Sequence, residues 1–426
     1  MNLKERDKAV NWHPYTQMKT AENAIPIVKG KGIYLYGEDG KTYVDAVSSW
    51  WVTLHGHAHP YITQRVSEQL NTLEQVIFAG FTHEPAIQLS ENLLKLLPDN
   101  QQKVFYSDNG STAVEVALKM CTQFAYNHGK PKNKILAFKN SYHGDTFGAM
   151  AVSSRSAWTK PFSEMLFEVI FIDTPTAENL EHLKSQIKDV EGEISCFIYE
   201  PLVQGAAGML MHAADDLSAL LKFCKQQHIL CIQDEVFTGF GRTGKLFAAN
   251  YLSVQPDVMC FSKGLTGGTM PMGITTSTHE IFNAFLSDDT YKTLFHGHSF
   301  TANPLACTAA LASLELLLKK ETAKNIDLIC KKHQKFAETL KATKNVENVR
   351  QTGTILAWDL ATSTASSYFN TIGKQLYNAF LERNLILRPL GNVLYLIPPY
   401  CITSTELDHI YSNILAVIEA INLNKS

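Results

Sequence analysis

Paired cysteines are missing from this chain. Its eight cysteines are scattered through 426 residues, with no C-x-x-C pair. Neither a disulfide framework nor a zinc site is expected. Cys121, Cys196, Cys224, Cys231, Cys260 and Cys307 mostly lie in apolar runs, which suits reduced core thiols and a cytoplasmic protein. No uninterrupted apolar segment reaches the roughly 20 residues that a membrane span needs. The opening MNLKERDKAVNW has no apolar core of a signal peptide. There is no basic excess either: 38 Lys and Arg stand against 41 Asp and Glu, for a net charge of -3. That leaves no electrostatic footprint for nucleic acid or an anionic membrane. Repeats, low-complexity tracts and obvious linkers are also absent.

What is present is the composition of a globular protein, 45% hydrophobic and 19% charged. The length suggests about two or three domains. Through the middle, short β-rich runs alternate with helical patterns. KVFYSDNG leads into STAVEVALKMCTQFAYN, and SCFIYEPLV precedes DDLSALLKFCKQQH, ILCIQDEV and DVMCFSKG. Such alternation predicts an α/β fold with a mainly parallel sheet covered by helices. Near-continuous apolar strands such as ILCI and CFIY fit burial on both faces. After about residue 310 a long helical stretch, NPLACTAALASLELLLKKETAKNIDLICKKHQKFAETLKA, leads into short strands and a terminal helix. The N-terminal IPIVKGKGIYLYGEDGKTYVDAV reads as strands with a hairpin at Glu38-Asp39-Gly40. The expected division is a large domain at 51–315 and a smaller α+β domain built from 1–50 and 316–426.

Open α/β sheets place ligands at the carboxyl ends of their strands. Unusual polar residues fall there: Asp108 to Ser111, Tyr142-His143-Gly144, Glu200, Asp234-Glu235 and Lys263. NGSTAVEVALK starts a helix after a strand, with Thr112 and Glu115 at capping-box spacing. The N–H groups of Gly110 and Ser111 would then face a phosphate at the positive end of the helix, although an ordinary capped helix start has the same pattern. Asp234 ends an apolar strand and needs a partner, which a structural salt bridge could supply. Lys263 follows one strand later and could simply snorkel to the surface. Together the three describe a pyridoxal phosphate site: a lysine for the Schiff base, a carboxylate for the pyridinium nitrogen and a helix for the phosphate.

The motifs YSDNGSTAVEVALK, SYHGDTFGAM, EPLVQGAAGM, QDEVFTGFGRTG, FSKGLTGG and FTANPLA resemble those of the class III aminotransferases, pyridoxal-phosphate enzymes of fold-type I. Within that class SSWW, YHGDT, GFGRTGKLFA, KGLTGGTMP and RPLGNVLYLIPPY are similar to the branch that works in biotin biosynthesis. The resemblance implies S-adenosyl-L-methionine as amino donor and 8-amino-7-oxononanoate as acceptor, in a homodimer with shared sites. It makes Lys263 the lysine that binds the cofactor and moves the proton. It makes Asp234 the partner of the ring nitrogen and Tyr142 the group stacked on the ring, while Gly110 and Ser111 bind phosphate. Gly297, His298 and Ser299 would approach from the other subunit, with His298-Ser299 where relatives often carry Pro-Thr. Arg388 would hold the substrate carboxylate. Tyr15, Trp50, Trp51 and Tyr395 would line the substrate pocket. Adjacent tryptophans on a strand point to opposite faces, and Trp50 is favoured for the pocket. Arg242 fits a structural role and a substrate-bordering one equally well.

Two departures bear on the substrate. EPLVQGAAG offers no glutamate where relatives using 2-oxoglutarate often have one, and Asp145 stands where many have arginine. Both lean away from the ornithine and 4-aminobutyrate branches. Another ω-amino acid or diamine aminotransferase, a lysine-using enzyme of the same pathway, and a racemase or aminomutase on the same fold are the other readings. His55, His57 and His59 in HGHAH alternate as strand ligands would, but Gly56 and Pro60 suggest a loop, and no metal is expected. The lysine-rich run after Leu316 reads as the solvated face of an amphipathic helix.

Overall fold

The computed structural model describes residues 2–362, 370 and 372–421. Strands β1 (Ile27–Lys31), β2 (Tyr34–Gly37) and β3 (Thr42–Asp45) form an antiparallel meander. The β2–β3 hairpin turns at Glu38-Asp39-Gly40, where Gly40 has φ 77° and Asp39 Oδ1 accepts from the Lys41 N–H at 3.1 Å. A left-handed φ suits glycine because it has no Cβ.

The central strands follow: β4 (Lys103–Ser107), β5 (Lys134–Phe138), β6 (Val169–Ile172), β7 (Ile194–Tyr199), the short pair β8 (Val203–Gln204) and β9 (Leu210–Met211), then β10 (Leu230–Asp234), β11 (Val258–Phe261) and β12 (Gly273–Ser277). Seven of them make one sheet in the order β4-β12-β11-β10-β7-β5-β6. All its pairings are parallel except those of β12, which runs against both neighbours. Strands β7 and β11 are buried along their whole length, as their near-continuous apolar text predicts. Each fully buried aliphatic or Phe side chain there contributes roughly 1.5–3 kcal/mol. In the last third β13 (Val346–Thr352), β14 (Ile355–Leu360) and β16 (Val393–Leu396) form an antiparallel sheet, while β15 (Leu385–Ile386) adds in parallel to β3. The amino-terminal sheet therefore takes a strand from the carboxyl-terminal segment.

The long helical stretch is two helices, Pro304–Leu317 and Lys320–Lys341, because Lys319 is extended (ψ 141°). Their environments differ. The first is apolar nearly all round and buried, and packs on helices Pro60–Leu70 and Glu84–Leu94 and on the turn at Lys263–Thr266. The second buries one stripe, Ile326, Ile329, His333, Phe336, Ala337 and Leu340, and leaves its lysines outside. Asn303 starts the first helix, its Oδ1 accepting from the N–H groups of Leu305 and Ala306 at 3.1 Å each, with Pro304 at the first helical position.

Candidate active site

Chain segments far apart in sequence converge on a cavity of about 520 Å³ at the carboxyl ends of the central strands. Asn109, Gly110 and Ser111 follow β4, Tyr142 to Thr146 follow β5, Glu200 follows β7, Asp234 ends β10, and Ser262 and Lys263 follow β11.

The wall at Gly110 is the amino end of the helix Gly110–Asn127. The first N–H groups of a helix have no partner within it. Asn109, not Thr112, is the cap: its Oδ1 accepts from the Thr112 N–H at 2.9 Å, and the Thr112 hydroxyl returns to the Asn109 N–H at 3.0 Å. The expected Thr112/Glu115 capping box is thus displaced. Glu115 instead reaches another element, where its Oε1 accepts from the N–H groups of Gly148 and Ala149 at 2.8 and 3.0 Å and caps the helix Phe147–Val152. Gly110 is glycine for a packing reason, since a Cβ there would stand 2.8 Å from Val236 Cγ1. Gly144 (φ 135°) likewise lets its loop close on Ser111.

Asp234 is buried, but its partner is not the lysine. His143 Nδ1 donates to Asp234 Oδ2 at 2.7 Å, and the Val236 N–H donates to Oδ1 at 3.0 Å. The other imidazole nitrogen, His143 Nε2, is buried without a partner. Glu200, also buried, accepts from the N–H groups of Tyr142 and Gly205 at 3.0 Å each. Burial pushes its carboxyl up to about 7; His143 and the two N–H groups oppose this and Asp234 adds to it.

Lys263 does not snorkel out. Its Nζ lies 4.6 Å from the centroid of the Trp51 ring and 5.5 Å from that of Phe237. Burial pulls the amine down to about 8, against the nearby charges of Asp234 and Glu200. Its backbone is left-handed at φ 43°, an uncommon conformation for a non-glycine residue and one found at functional sites.

The tryptophans part, but not as on a strand. They lie on a kinked turn, Ser48–Trp51, with Ser48, Ser49 and Trp51 at positive φ. It is Trp51 that lines the cavity at Lys263. Trp50 lies further out, with Arg388 Cζ 3.9 Å from its ring centroid and the Tyr15 ring 5.5 Å away edge-on. Tyr395 is buried behind Trp51, accepting from Trp51 Nε1 at 3.2 Å, and so backs the wall instead of lining it. Tyr15 and Tyr142 both donate to Asp145 Oδ2, Tyr142 at 3.0 Å. Burial, the Tyr15 hydroxyl and Asp145 push the Tyr142 phenol well above its usual range.

Arg242 is fully buried and is not among the residues lining the cavity. Its Nη1 donates to the Pro398 carbonyl at 3.1 Å and its Nη2 to the Trp51 carbonyl at 3.3 Å. Gly297, His298 and Ser299 do not line this cavity. His298 Nε2 stands 3.0 Å from His296 Nε2, and its Nδ1 is 3.6 Å from Asp108. The histidines of HGHAH divide: His55 bonds Ser313 at 3.1 Å with the His59 ring 6.1 Å away edge-on, and His57 bonds Asp45 at 2.9 Å.

Three residues of the site had no role assigned from the sequence. His143 and Asp145 sit inside the YHGDT motif, where Asp145 speaks only to the substrate branch, and Glu200 reads only as a polar strand end. The contacts that give them meaning, to Asp234, Tyr15 and the Tyr142 N–H, are all tertiary except the Tyr142–Asp145 bond.

Comparison with known proteins agrees with this geometry. The family model "Aminotransferase class-III" matches residues 15–418. The chain belongs to the class III aminotransferases. It is 47% identical over 420 residues to the adenosylmethionine-8-amino-7-oxononanoate aminotransferase of Synechococcus elongatus, covering 96% of this chain and 98% of that one. The enzyme of that name from Staphylococcus aureus is 38% identical, with 95% and 94% covered. Among solved structures, that of the Methanocaldococcus jannaschii adenosylmethionine-8-amino-7-oxononanoate aminotransferase superposes with a TM-score of 0.94 at 35% identity, covering 99% of each chain. An amine transaminase from an uncultivated Pseudomonas species, in its PLP-bound form, superposes at 0.90 with 28% identity, covering 97% and 99%.

The residues present fit pyridoxal 5'-phosphate, the cofactor of this class. The cavity combines a helix amino end, kept open where a Cβ would strike Val236, with a buried carboxylate and an enclosed lysine of lowered pKa.

Proposed function

We propose that this aminotransferase moves an amino group from S-adenosyl-L-methionine to 8-amino-7-oxononanoate, giving 7,8-diaminononanoate for biotin synthesis. The observation that carries this reading is full-length similarity, up to 47% identity, to enzymes bearing that one name. The site supports it. The acceptor is a long apolar chain ending in a carboxylate. Trp50, Trp51 and Tyr15 offer an aromatic wall, and Arg388 lies against Trp50. A guanidinium forks onto a carboxylate, and an aromatic face attracts a sulfonium.

Gly110 and Ser111 would hold the cofactor phosphate, Tyr142 and Val236 its ring faces, Asp234 its ring nitrogen and Lys263 its carbonyl carbon. When bound, the cofactor supplies an electron sink for the carbon that loses its proton. Lys263 carries that proton: an amine brought down to about 8 can both take and return it near neutral pH. His143 holds Asp234 in place, and Glu200 anchors the backbone of Tyr142. Arg388 binds and orients the acceptor.

We also propose a homodimer, with Gly297, His298 and Ser299 of the partner subunit completing each phosphate site. A cytoplasmic setting fits eight free cysteines, six of them buried. Among the described residues no helix is long and apolar enough to cross a membrane.

The test is a half-reaction. The cofactor-loaded enzyme is mixed with single donors while the change in cofactor absorbance is followed. S-adenosyl-L-methionine should drive it. Conversion by lysine alone would move the donor assignment, and conversion only by diamines or 4-aminobutyrate would overturn the reading.

A further inference from the structure

The motif HGHAH takes no part in the chemistry above, yet one of its histidines reaches the substrate wall from behind. His57 Nε2 donates to Asp45 Oδ2 at 2.9 Å, and the Asp45 side chain is fully buried. Since a carboxylate only accepts, Nε2 is the nitrogen that carries the hydrogen. The backbone and hydroxyl groups that donate to this carboxylate belong to one short segment. Oδ1 accepts from the Val47 N–H at 3.1 Å, and Oδ2 accepts from the Ser49 N–H at 2.6 Å and the Ser49 hydroxyl at 3.4 Å. That segment opens the turn that carries Trp50 and Trp51.

The turn needs holding. Ser48, Ser49 and Trp51 have φ of 52°, 59° and 67°. Side chains rarely tolerate this region, and such backbone persists only where its surroundings over-determine it. His57 is itself held against the β1–β2 hairpin. It exchanges backbone hydrogen bonds with Gly32 at 2.7 and 3.1 Å, and a Cβ on Gly30 would stand 2.7 Å from its own Cβ. The β1–β2 hairpin thus fixes the imidazole, the imidazole fixes Asp45, and Asp45 fixes the turn.

We propose that His57 and Asp45 are positioning residues for substrate recognition. The proposal rests on the acceptor reading given above. Neither residue lines the cavity. They act through Trp50, against which Arg388 packs, while Trp51, over which Lys263 lies, keeps its own bonds to Arg242 and Tyr395. Losing the His57 N–H lets the turn relax and Trp50 swing from Arg388. Acceptor binding then weakens, while Lys263, Asp234 and His143 keep their geometry.

The experiment compares His57→Ala with His57→Gln in the cofactor-loaded enzyme, because the Gln amide can place an N–H near the imidazole Nε2. The Ala variant is expected to raise KM for 8-amino-7-oxononanoate about tenfold with kcat within about twofold, and the Gln variant to stay within about threefold of the parent. If the Ala variant does not fold, His57→Asn, whose amide is too short to reach, should show the same KM rise. A parental KM without the N–H, or a loss confined to kcat that tracks the folded fraction, overturns the proposal. If the parent itself ignores this acceptor, the acceptor reading fails separately. Near-ultraviolet circular dichroism of the tryptophans then decides: a signal weakened by Ala and restored by Gln upholds the positioning role, and an unchanged signal removes it.

Discussion

His143 Nδ1 lies 2.7 Å from Asp234 Oδ2, and both side chains are buried. The imidazole therefore takes one of the two oxygens with which Asp234 would face the cofactor ring. Asp234→Asn should still bind cofactor but react very slowly, because the ring loses its charged partner. His143→Ala removes a hydrogen bond to a charged group, worth about 1.5–3 kcal/mol, so the first half-reaction should slow roughly ten- to a hundredfold. His143→Asn, which keeps an N–H near Nδ1, should recover much of that. Single-turnover rates check all three, and parental rates in His143→Ala would remove the imidazole from the mechanism.

The Lys263 amine, pulled by burial from 10.5 to about 8, makes a pH prediction for the cofactor-free protein. Below about 8 the amine is charged in folded and unfolded chains alike, and the cost of enclosing that charge is fully present. Between about 8 and 10.5 the unfolded chain binds more protons, so stability rises with pH there. Lys263→Met should thus stabilise the cofactor-free fold at pH 7, by on the order of 1–3 kcal/mol. The advantage should shrink as pH climbs toward 10. Denaturant titrations at several pH values measure it, and a difference that ignores pH would mean the amine is not enclosed.

The chain's text carries the sheet and the convergence well, because each β-rich run ends on a polar residue that a core cannot accept unpaired. Asp234 and Lys263 are legible for that reason. Glu115 is not: it sits where a capping box would use it, yet its donors are 33 and 34 residues away on another helix. The tryptophan turn is hidden for a different reason. Ser-Ser-Trp-Trp has strand-like neighbours and no glycine, so nothing local announces three left-handed backbones. They are imposed by Asp45, by Ser48 donating to the Ile397 carbonyl and by Arg242 on the Trp51 carbonyl, all but the first distant in sequence. The break at Lys319 is hidden too, since no glycine or proline separates the two helices.

The proposed sharing of sites predicts complementation between inactive subunits. Lys263→Ala removes the covalent attachment from its own site but leaves Ser299 and His298 able to serve the partner. A chain carrying His298→Ala and Ser299→Ala has the opposite defect. Exchanged into mixed dimers, the two should restore one intact site in each and raise activity above either parent. A monomer shown to be fully active at high dilution would end the claim.

Arg388 should discriminate the acceptor instead of running the chemistry. Its guanidinium carbon lies over Trp50, 3.9 Å from the ring centroid, where the group is held ready for a bidentate pair with a carboxylate. Arg388→Ala should raise KM for 8-amino-7-oxononanoate and lower kcat/KM roughly ten- to a hundredfold, the loss of one charged hydrogen-bonding partner. Arg388→Lys should not rescue it, because an ammonium has neither the planar stack nor the fork. The donor half-reaction with S-adenosyl-L-methionine should suffer less, provided that donor's carboxylate uses another contact. The proviso has to be tested directly, since a ping-pong enzyme binds both substrates in one cavity. Measuring the two half-reactions separately does so. Equal losses would make Arg388 an anchor that grips both carboxylates in turn. No loss in either would return it to a surface arginine stacked on Trp50, and the acceptor assignment would lose its carboxylate partner with it.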